Sequence, residues 1–158
     1  MIRLKKIISG GQTGADMAAL DFGLRKGVSV GGWCPKGRIN ESGTIAAFYP
    51  LIECISKQYS VRTEKNVVDS DATLIFTSGG KIDDGTQLCI DFCHLHSKKF
   101  FVFNIYNIDS LQIDLVIDWL EESEVGILNI AGNRESTLPG IYIKTLGFLQ
   151  QIFTDQIY

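Results

Sequence analysis

Lys6-Ile7-Ile8-Ser9-Gly10-Gly11-Gln12-Thr13-Gly14-Ala15-Asp16 decides the fold. An apolar run gives way to a glycine-rich turn, and the turn to an apolar-periodic stretch over residues 18–24. That pattern predicts a strand over residues 4–9, a tight turn, and a helix over residues 14–26 with Ala15, Ala18, Ala19, Phe22 and Leu24 available to face a sheet. Gly27 suits the helix stop. A helix N-terminus leaves backbone N–H groups unpaired and carries about half a positive charge. Glycines let another molecule approach those groups closely. Such a turn is a ready anion site, usually for a phosphate.

The alternation continues along the chain. Residues 28–30 predict a short strand that runs into the loop Gly31-Gly32-Trp33-Cys34-Pro35-Lys36-Gly37-Arg38. Residues 39–60 read as irregular, with a short helix expected near residues 49–55. A helix over residues 63–71 precedes Ala72-Thr73-Leu74-Ile75-Phe76-Thr77, a continuous apolar and β-branched run that predicts a buried strand. Residues 78–86 form a second glycine-rich loop, followed by a helix over residues 87–96. A strand over 100–104, a helix over 110–123 and a strand over 126–131 come next. The last helix opens at Leu138-Pro139-Gly140 and runs to about Phe153, proline suiting the first helical turn. Strands alternating with helices imply parallel βαβ units that cross over right-handed. The expected fold is α/β, a three-layer α/β/α sandwich with about five mainly parallel strands. Ligands of such sheets bind outside the carboxyl ends of the strands, where the glycine-rich loops fall.

Bulk properties narrow the classes. The 158 residues suit one domain, expected over 1–158. An apolar fraction of 45% is enough for a core without disulfides or metals. The net charge of −3 argues against a nucleic-acid partner. Cys34, Cys54, Cys89 and Cys93 form no C-x-x-C pair, and the start reaches glycine before a secretory apolar region could form. No apolar run nears the ~20 residues of a membrane span. The expectation is a cytoplasmic chain with reduced thiols, no membrane partner and no nucleic acid.

The first loop lacks the lysine of a G-x4-G-K-[ST] loop and the spacing of G-x-G-x-x-G. What remains is Gly10, Gly11 and Gly14, with Gln12 and Thr13 able to donate to an anion. Asp16 complements the helix dipole or binds a ligand hydroxyl. A structural turn is the plainer reading. In the second loop Gly85 offers its N–H and Thr86 its hydroxyl, while Asp83 and Asp84 cap the helix or accept from ligand amino groups. Trp33, Lys36 and Arg38 set a large aromatic beside two cations, which suits a flat heteroaromatic ring with a phosphate. A surface loop with a buried tryptophan reads as well. Arg62, Thr63 and Asn66 can reach the same rim. Arg134, after the last strand, is a phosphate candidate or a solvated arginine. Cys89, Cys93, His94 and His96 make the one metal-like cluster, with two thiols a helical turn apart. The apolar neighbours of Cys89 argue for plain burial, and no metal site is expected. Glu121-Glu122 reads as a solvated helix end, and no Ser-His-Asp arrangement is evident.

Ser9-Gly10-Gly11-Gln12-Thr13-Gly14-Ala15-Asp16, the Gly31-to-Arg38 loop, Arg62-Thr63-Glu64-Lys65-Asn66-Val67, Asp69-Ser70-Asp71-Ala72-Thr73-Leu74-Ile75, Ala131-Gly132-Asn133-Arg134-Glu135-Ser136 and Pro139-Gly140-Ile141-Tyr142 together resemble the putative molybdenum carrier family. The resemblance spans nearly the whole chain. That family is similar in fold to the molybdenum-cofactor carrier proteins and to the lysine-decarboxylase-like phosphoribohydrolases, a Rossmann-like superfamily of nucleotide-derivative binders. The resemblance implies a Rossmann-like homodimer or homotetramer that holds molybdenum cofactor (molybdopterin), molybdate or a nucleotide. The phosphoribohydrolases carry P-G-G-x-G-T-x-x-E. Here Gly85-Thr86 match, and Cys89 stands where their glutamate would be. A thiol does not replace that carboxylate in activating water or stabilising an oxocarbenium-like state. The expected function is binding of a phosphorylated heterocycle or oxyanion, with no catalytic residue, by Gly10, Gly11, Gln12, Thr13, Gly14, Asp16, Trp33, Lys36, Arg38, Gly85, Thr86 and Arg134. Nucleotide cleavage and nucleotide-derivative sensing are the alternatives.

Overall fold

Strand and helix alternate as the periodicity requires in the computed structural model, which describes residues 1–154; positions 155–158 of the expected domain lie outside the described residues. The elements in chain order are β1 (Lys6–Ile8), α1 (Ala15–Lys26), β2 (Ser29–Gly31), β3 (Trp33–Cys34), β4 (Ile39–Asn40), β5 (Gly43–Thr44), β6 (Ile52–Glu53), α2 (Tyr59–Val68), β7 (Ala72–Thr77), α3 (Asp84–Leu95), β8 (Lys99–Asn104), α4 (Ser110–Glu122), β9 (Ile127–Gly132) and α5 (Ile141–Ile152). Five strands form one sheet in the order β2-β1-β9-β7-β8, and every pair in it is parallel. Helices α1, α4 and α5 pack together on one face, and α2 packs against α3 on the other. This is the Rossmann-like three-layer sandwich.

Period-two alternation sorts β7 between the two layers, because successive side chains point to opposite faces. Leu74 and Phe76 enter the larger apolar core. There Phe76, Phe103 and Phe148 form a mutual aromatic cluster, with centroid separations of 5.5 Å for Phe76–Phe148 and 4.2 Å for Phe103–Phe148. Ile75 faces the other way, toward Val67, Cys89, Ile90 and Cys93. Both thiols are thus buried in the apolar packing under α3. Beside them the same side of the sheet is polar: Asn66, Thr73 and Asn129 are all buried, and Asn129 Nδ2 donates to Thr73 Oγ1 at 3.1 Å.

Four elements depart from the sequence expectation. No helix forms near residues 49–55. Arg38 reaches across the loop and donates to the carbonyls of Leu51 (3.0 Å), Ala46 (2.8 Å) and Tyr49 (2.9 Å), holding the segment open while β6 pairs in parallel with β3. Helix α2 begins at Tyr59, four residues before the expected start. Helix α3 begins at Asp84 because the Asp83 carboxylate caps it, accepting from Thr86 N at 2.7 Å. Pro139 lies outside α5. The N-cap is Gly140 at φ 90°, and the Glu135 carboxylate serves that end by accepting from Gly140 N (2.6 Å) and Tyr142 N (3.0 Å).

Phe148→Ala removes the ring shared by Phe76 and Phe103. It is expected to cost about 3–5 kcal/mol of unfolding free energy, read as a lower midpoint in urea denaturation.

Candidate functional site

At the carboxyl ends of β1, β7 and β9 the sheet opens into a cleft of about 270 Å³. β9 lies between β1 and β7, so the loops after all three strands meet there. Gln12 and Asp16 come from the first loop and α1. Asp83, Gly85 and Thr86 come from the start of α3, Gly132 from the end of β9, and Arg134 and Thr137 from the segment after it. The first turn of α2 closes the cleft with Tyr59, Ser60, Arg62 and Thr63. Three helix N-termini therefore converge on one volume, and each contributes positive potential.

The first loop is wound around one of the chain's own acids. The Asp16 carboxylate is 4% exposed. Its Oδ2 accepts from Gln12 N at 3.2 Å and lies 3.8 Å from Arg62 Nη1. Ala15 N goes to Asn133 O at 3.4 Å, and Thr13 N to Gln12 Oε1 at 2.9 Å. Backbone donors that would suit a phosphate are thus committed within the protein. The glycines answer to this packing. A Cβ at Gly10 would stand 2.5 Å from Arg62 Nη1, and one at Gly14, at φ 82°, would stand 2.5 Å from Asn133 O. Gly11 lies against Ile45 and Leu51.

Side chains supply the donors that remain. Among the described residues, Gln12 Nε2, Arg62 Nε and Thr86 Oγ1 are buried without a partner, and all three residues line the cleft. The Gln12 amide is oriented by its other end, because Oε1 accepts from Thr13 N and from Glu41 N (3.0 Å); Nε2 must point away from both. Two guanidiniums approach the Tyr59 ring, Arg62 with Cζ at 5.4 Å from the centroid and Arg134 at 5.5 Å. Gly85 belongs to the first turn of α3, where helix geometry leaves N–H groups over.

Sequence reasoning named Gln12, Asp16, Gly85, Thr86 and Arg134, and all five line this cleft. Gly10 lines a small hollow behind it with Asp16, Arg62, Asn66 and Cys89. Arg62, Thr63 and Asp83, also read from the sequence as able to reach a ligand, line it as well, whereas Thr13, Trp33, Lys36 and Arg38 sit elsewhere. Thr13 Oγ1 donates to the Glu41 carboxylate and accepts from Glu135 N at 3.2 Å. Trp33 donates from Nε1 to Asp69 Oδ2 at 2.7 Å and lies under Lys65 Nζ, 4.4 Å from the centroid. Lys36 is exposed, and the Arg38 guanidinium is taken by three carbonyls. Tyr59, Ser60 and Thr137 were not foreseen. The misplaced start of α2 hid Tyr59 and Ser60, and nothing in the spacing marked Thr137.

Cys89 lines the floor of the cleft but is 2% exposed. Its neighbour Cys93, burial and the nearby Asp16 carboxylate all push its thiol above the usual range. His96 Nε2 lies 2.8 Å from Glu64 Oε1, and His94 packs edge-on against Phe100. Among the described residues, no group of three or more potential metal ligands is assembled, and no helix is long and apolar enough to cross a membrane.

Burial raises the Asp16 carboxyl above its usual range; Arg62, the N–H groups of Gln12 and Gly10, and Arg134 pull it back only in part. A carboxyl raised by folding favours the folded state while protonated. That contribution is complete below the reference value of 3.8 and fades as pH rises through the raised folded value. Asp16→Asn is therefore expected to melt above the parent near pH 8, with the gain shrinking as the pH is lowered toward 4, read by differential scanning calorimetry across pH.

Comparison with known proteins agrees with this architecture. The family model described as the circularly permutated YpsA SLOG family matches residues 7–153. The crystal structure of a putative molybdenum carrier protein from Syntrophus aciditrophicus superposes with a TM-score of 0.93 at 40% identity, covering 96% of each chain. No curated protein matches the chain. The parallel five-stranded sheet, the glycine-rich first loop and a match over nearly every described residue place this chain in the circularly permutated YpsA SLOG family.

Proposed function

We propose that this chain is a binding and carrier protein that holds a phosphorylated small molecule, or a free oxyanion, in the cleft where α1, α2 and α3 begin. One observation carries the reading: among the described residues, Gln12 Nε2, Arg62 Nε and Thr86 Oγ1 are buried donors without partners, and the residues that carry them line the same cleft. Leaving such groups unpaired costs about 1–3 kcal/mol each. An oxyanion would satisfy all three together and would meet the convergent helix N-termini. Arg134, 37% exposed at its side chain and only 3.8 Å from Glu41, is free enough to turn onto the ligand.

The Syntrophus aciditrophicus neighbour bears the name of a molybdenum carrier, and molybdenum cofactor is the corresponding ligand to try first, with a nucleotide as the generic one. The donor set fits the phosphate end of either. Gln12, Arg62 and Thr86 would grip that end, and the Tyr59 ring offers a face to a flat heterocycle. At about 270 Å³ the cleft is smaller than the roughly 300–1,000 Å³ common for drug-sized ligands, so the rest of the molecule would extend through the mouth. The buried, protonated Cys89 thiol at the position of the hydrolase glutamate supports holding a ligand over cleaving it. Self-association as a homodimer or homotetramer belongs to the same proposal and is read by light scattering.

Calorimetric titration with molybdenum cofactor, nucleoside 5′-monophosphates and molybdate tests the reading. At least one is expected to bind. Arg62→Ala, which removes a charged hydrogen bond of about 1.5–3 kcal/mol, should weaken binding by about 10- to 100-fold. Absence of binding by every one of these ligands would overturn it.

A further inference from the structure

We infer that Asp16 selects among oxyanions, admitting those that carry a proton and rejecting those that carry none. The inference rests on the oxyanion reading of the cleft. Three of the residues that line it, Gln12, Arg62 and Thr86, each carry a buried donor without a partner. Gln12 and Thr86 are 5% and 4% exposed, so these donors are buried rather than solvated. Among them stands a carboxylate. Asp16 lines the same cleft and accepts from Gln12 N, with Arg62 Nη1 3.8 Å away. An anion taken by the Gln12 amide and the Arg62 guanidinium would lie near Asp16, which the backbone N–H of Gln12 and the Arg62 guanidinium already flank.

Two fully deprotonated oxygens facing each other in a buried site repel, and water is not there to screen them. A ligand oxygen that bears hydrogen reverses the sign of the contact, since its O–H donates to the carboxylate in a short, charge-assisted bond. Phosphate and phosphomonoesters can present such a hydroxyl near neutral pH. Sulfate near neutral pH cannot. Sulfate can enter only when Asp16 itself takes up the proton. The charged and titratable groups facing Asp16 bear this out element by element. α2 presents Arg62, the segment after β9 presents Arg134, and α3 presents Asp83 and the Cys89 thiol. The strand residues at the cleft, Ala131 and Gly132, bring no charge. Both arginines favour anions in general, and Asp83 is engaged by Thr86 N and Asn133 Nδ2. Discrimination between a protonated and an unprotonated oxyanion is left to Asp16. Burial raises its carboxyl above the usual range, which favours sharing of one proton with the ligand.

The test is an NMR titration of the full chain with inorganic phosphate and with sulfate, for the parent and for Asp16→Asn. The parent should bind phosphate at least about tenfold more tightly than sulfate near pH 7.5. Its sulfate affinity should rise as the pH falls to about 6, by up to tenfold per pH unit if one proton is taken up. Asp16→Asn should bind the two ions within about threefold of each other, with a flat pH profile for sulfate. A parent that binds sulfate as well as phosphate, with no pH dependence, would overturn the inference while leaving the oxyanion site standing. A variant that keeps the parent's preference would overturn it too. Failure of both ions and of every phosphorylated ligand to bind the parent would instead remove the site itself. Should the variant not fold, the parent's sulfate profile decides alone.

Discussion

A charge taken out of water must be met by donors, and Asp16 is met from several directions at once. Its own loop supplies Gln12 N, α2 sends Arg62, and Ser9 Oγ ties down the Asp16 carbonyl at 2.9 Å. An uncompensated buried carboxylate would cost several kcal/mol, so the surrounding chain is arranged to prevent it. Gly10 lacks a side chain where the Arg62 guanidinium passes, and α2 is held at the distance that guanidinium requires. The compensation is incomplete, as the raised carboxyl shows. A fold that tolerates such an ion in a cleft is holding a poised titratable group where a ligand can meet it.

The two faces of the sheet divide the work. One face is closed by an apolar and aromatic core, where the Phe76 ring meets those of Phe103 and Phe148 edge-on between the sheet and α5. Packing of that density sets strand positions within narrow limits. The other face, under α2 and α3, is apolar around Cys89 and Cys93 but polar beside the cleft, where Asn66, Thr73 and Asn129 are buried. Carboxylates then fasten the loops that no strand fixes. Glu41 gathers Thr13, Ser136 and Arg134, and Glu135 caps α5. The cleft is a gap between rigid parts whose loose ends are tied by ion and hydrogen-bond contacts.

Much of the site was legible for a simple reason: in a parallel sheet every strand ends at the same edge, so any loop following a strand is placed by topology. Gln12, Asp16, Gly85, Thr86 and Arg134 were found this way. Trp33, Lys36 and Arg38 were assigned to the same rim on chemical type, and type does not fix direction. Arg38 has the charge expected of a phosphate ligand, yet three backbone carbonyls absorb its guanidinium. Tyr59 escaped because residues 39–60 lack periodicity; their structure depends on Arg38 and on pairing between β3 and β6, both long-range. The glycines were read as positions where a ligand comes close, with packing as the plainer alternative; what approaches Gly10 and Gly14 is Arg62 and Asn133 of the chain itself.

The sequence by itself determined the layers, the parallel strands and the edge at which a ligand would sit. Hydrophobic periods and glycine placement are local, and they act through backbone conformation that short segments already possess. Only the tertiary structure decided which donors are left over. The backbone N–H groups that a strand–turn–helix pattern offers to a phosphate are partly taken by Asp16, a residue in the same quoted stretch whose carboxylate turns back on the loop. The donors without partners are instead the side chains of Gln12, Arg62 and Thr86, drawn from the first loop, α2 and α3. Satisfaction of a polar group depends on what folding brings within about 3 Å of it, and no spacing along the chain records that distance.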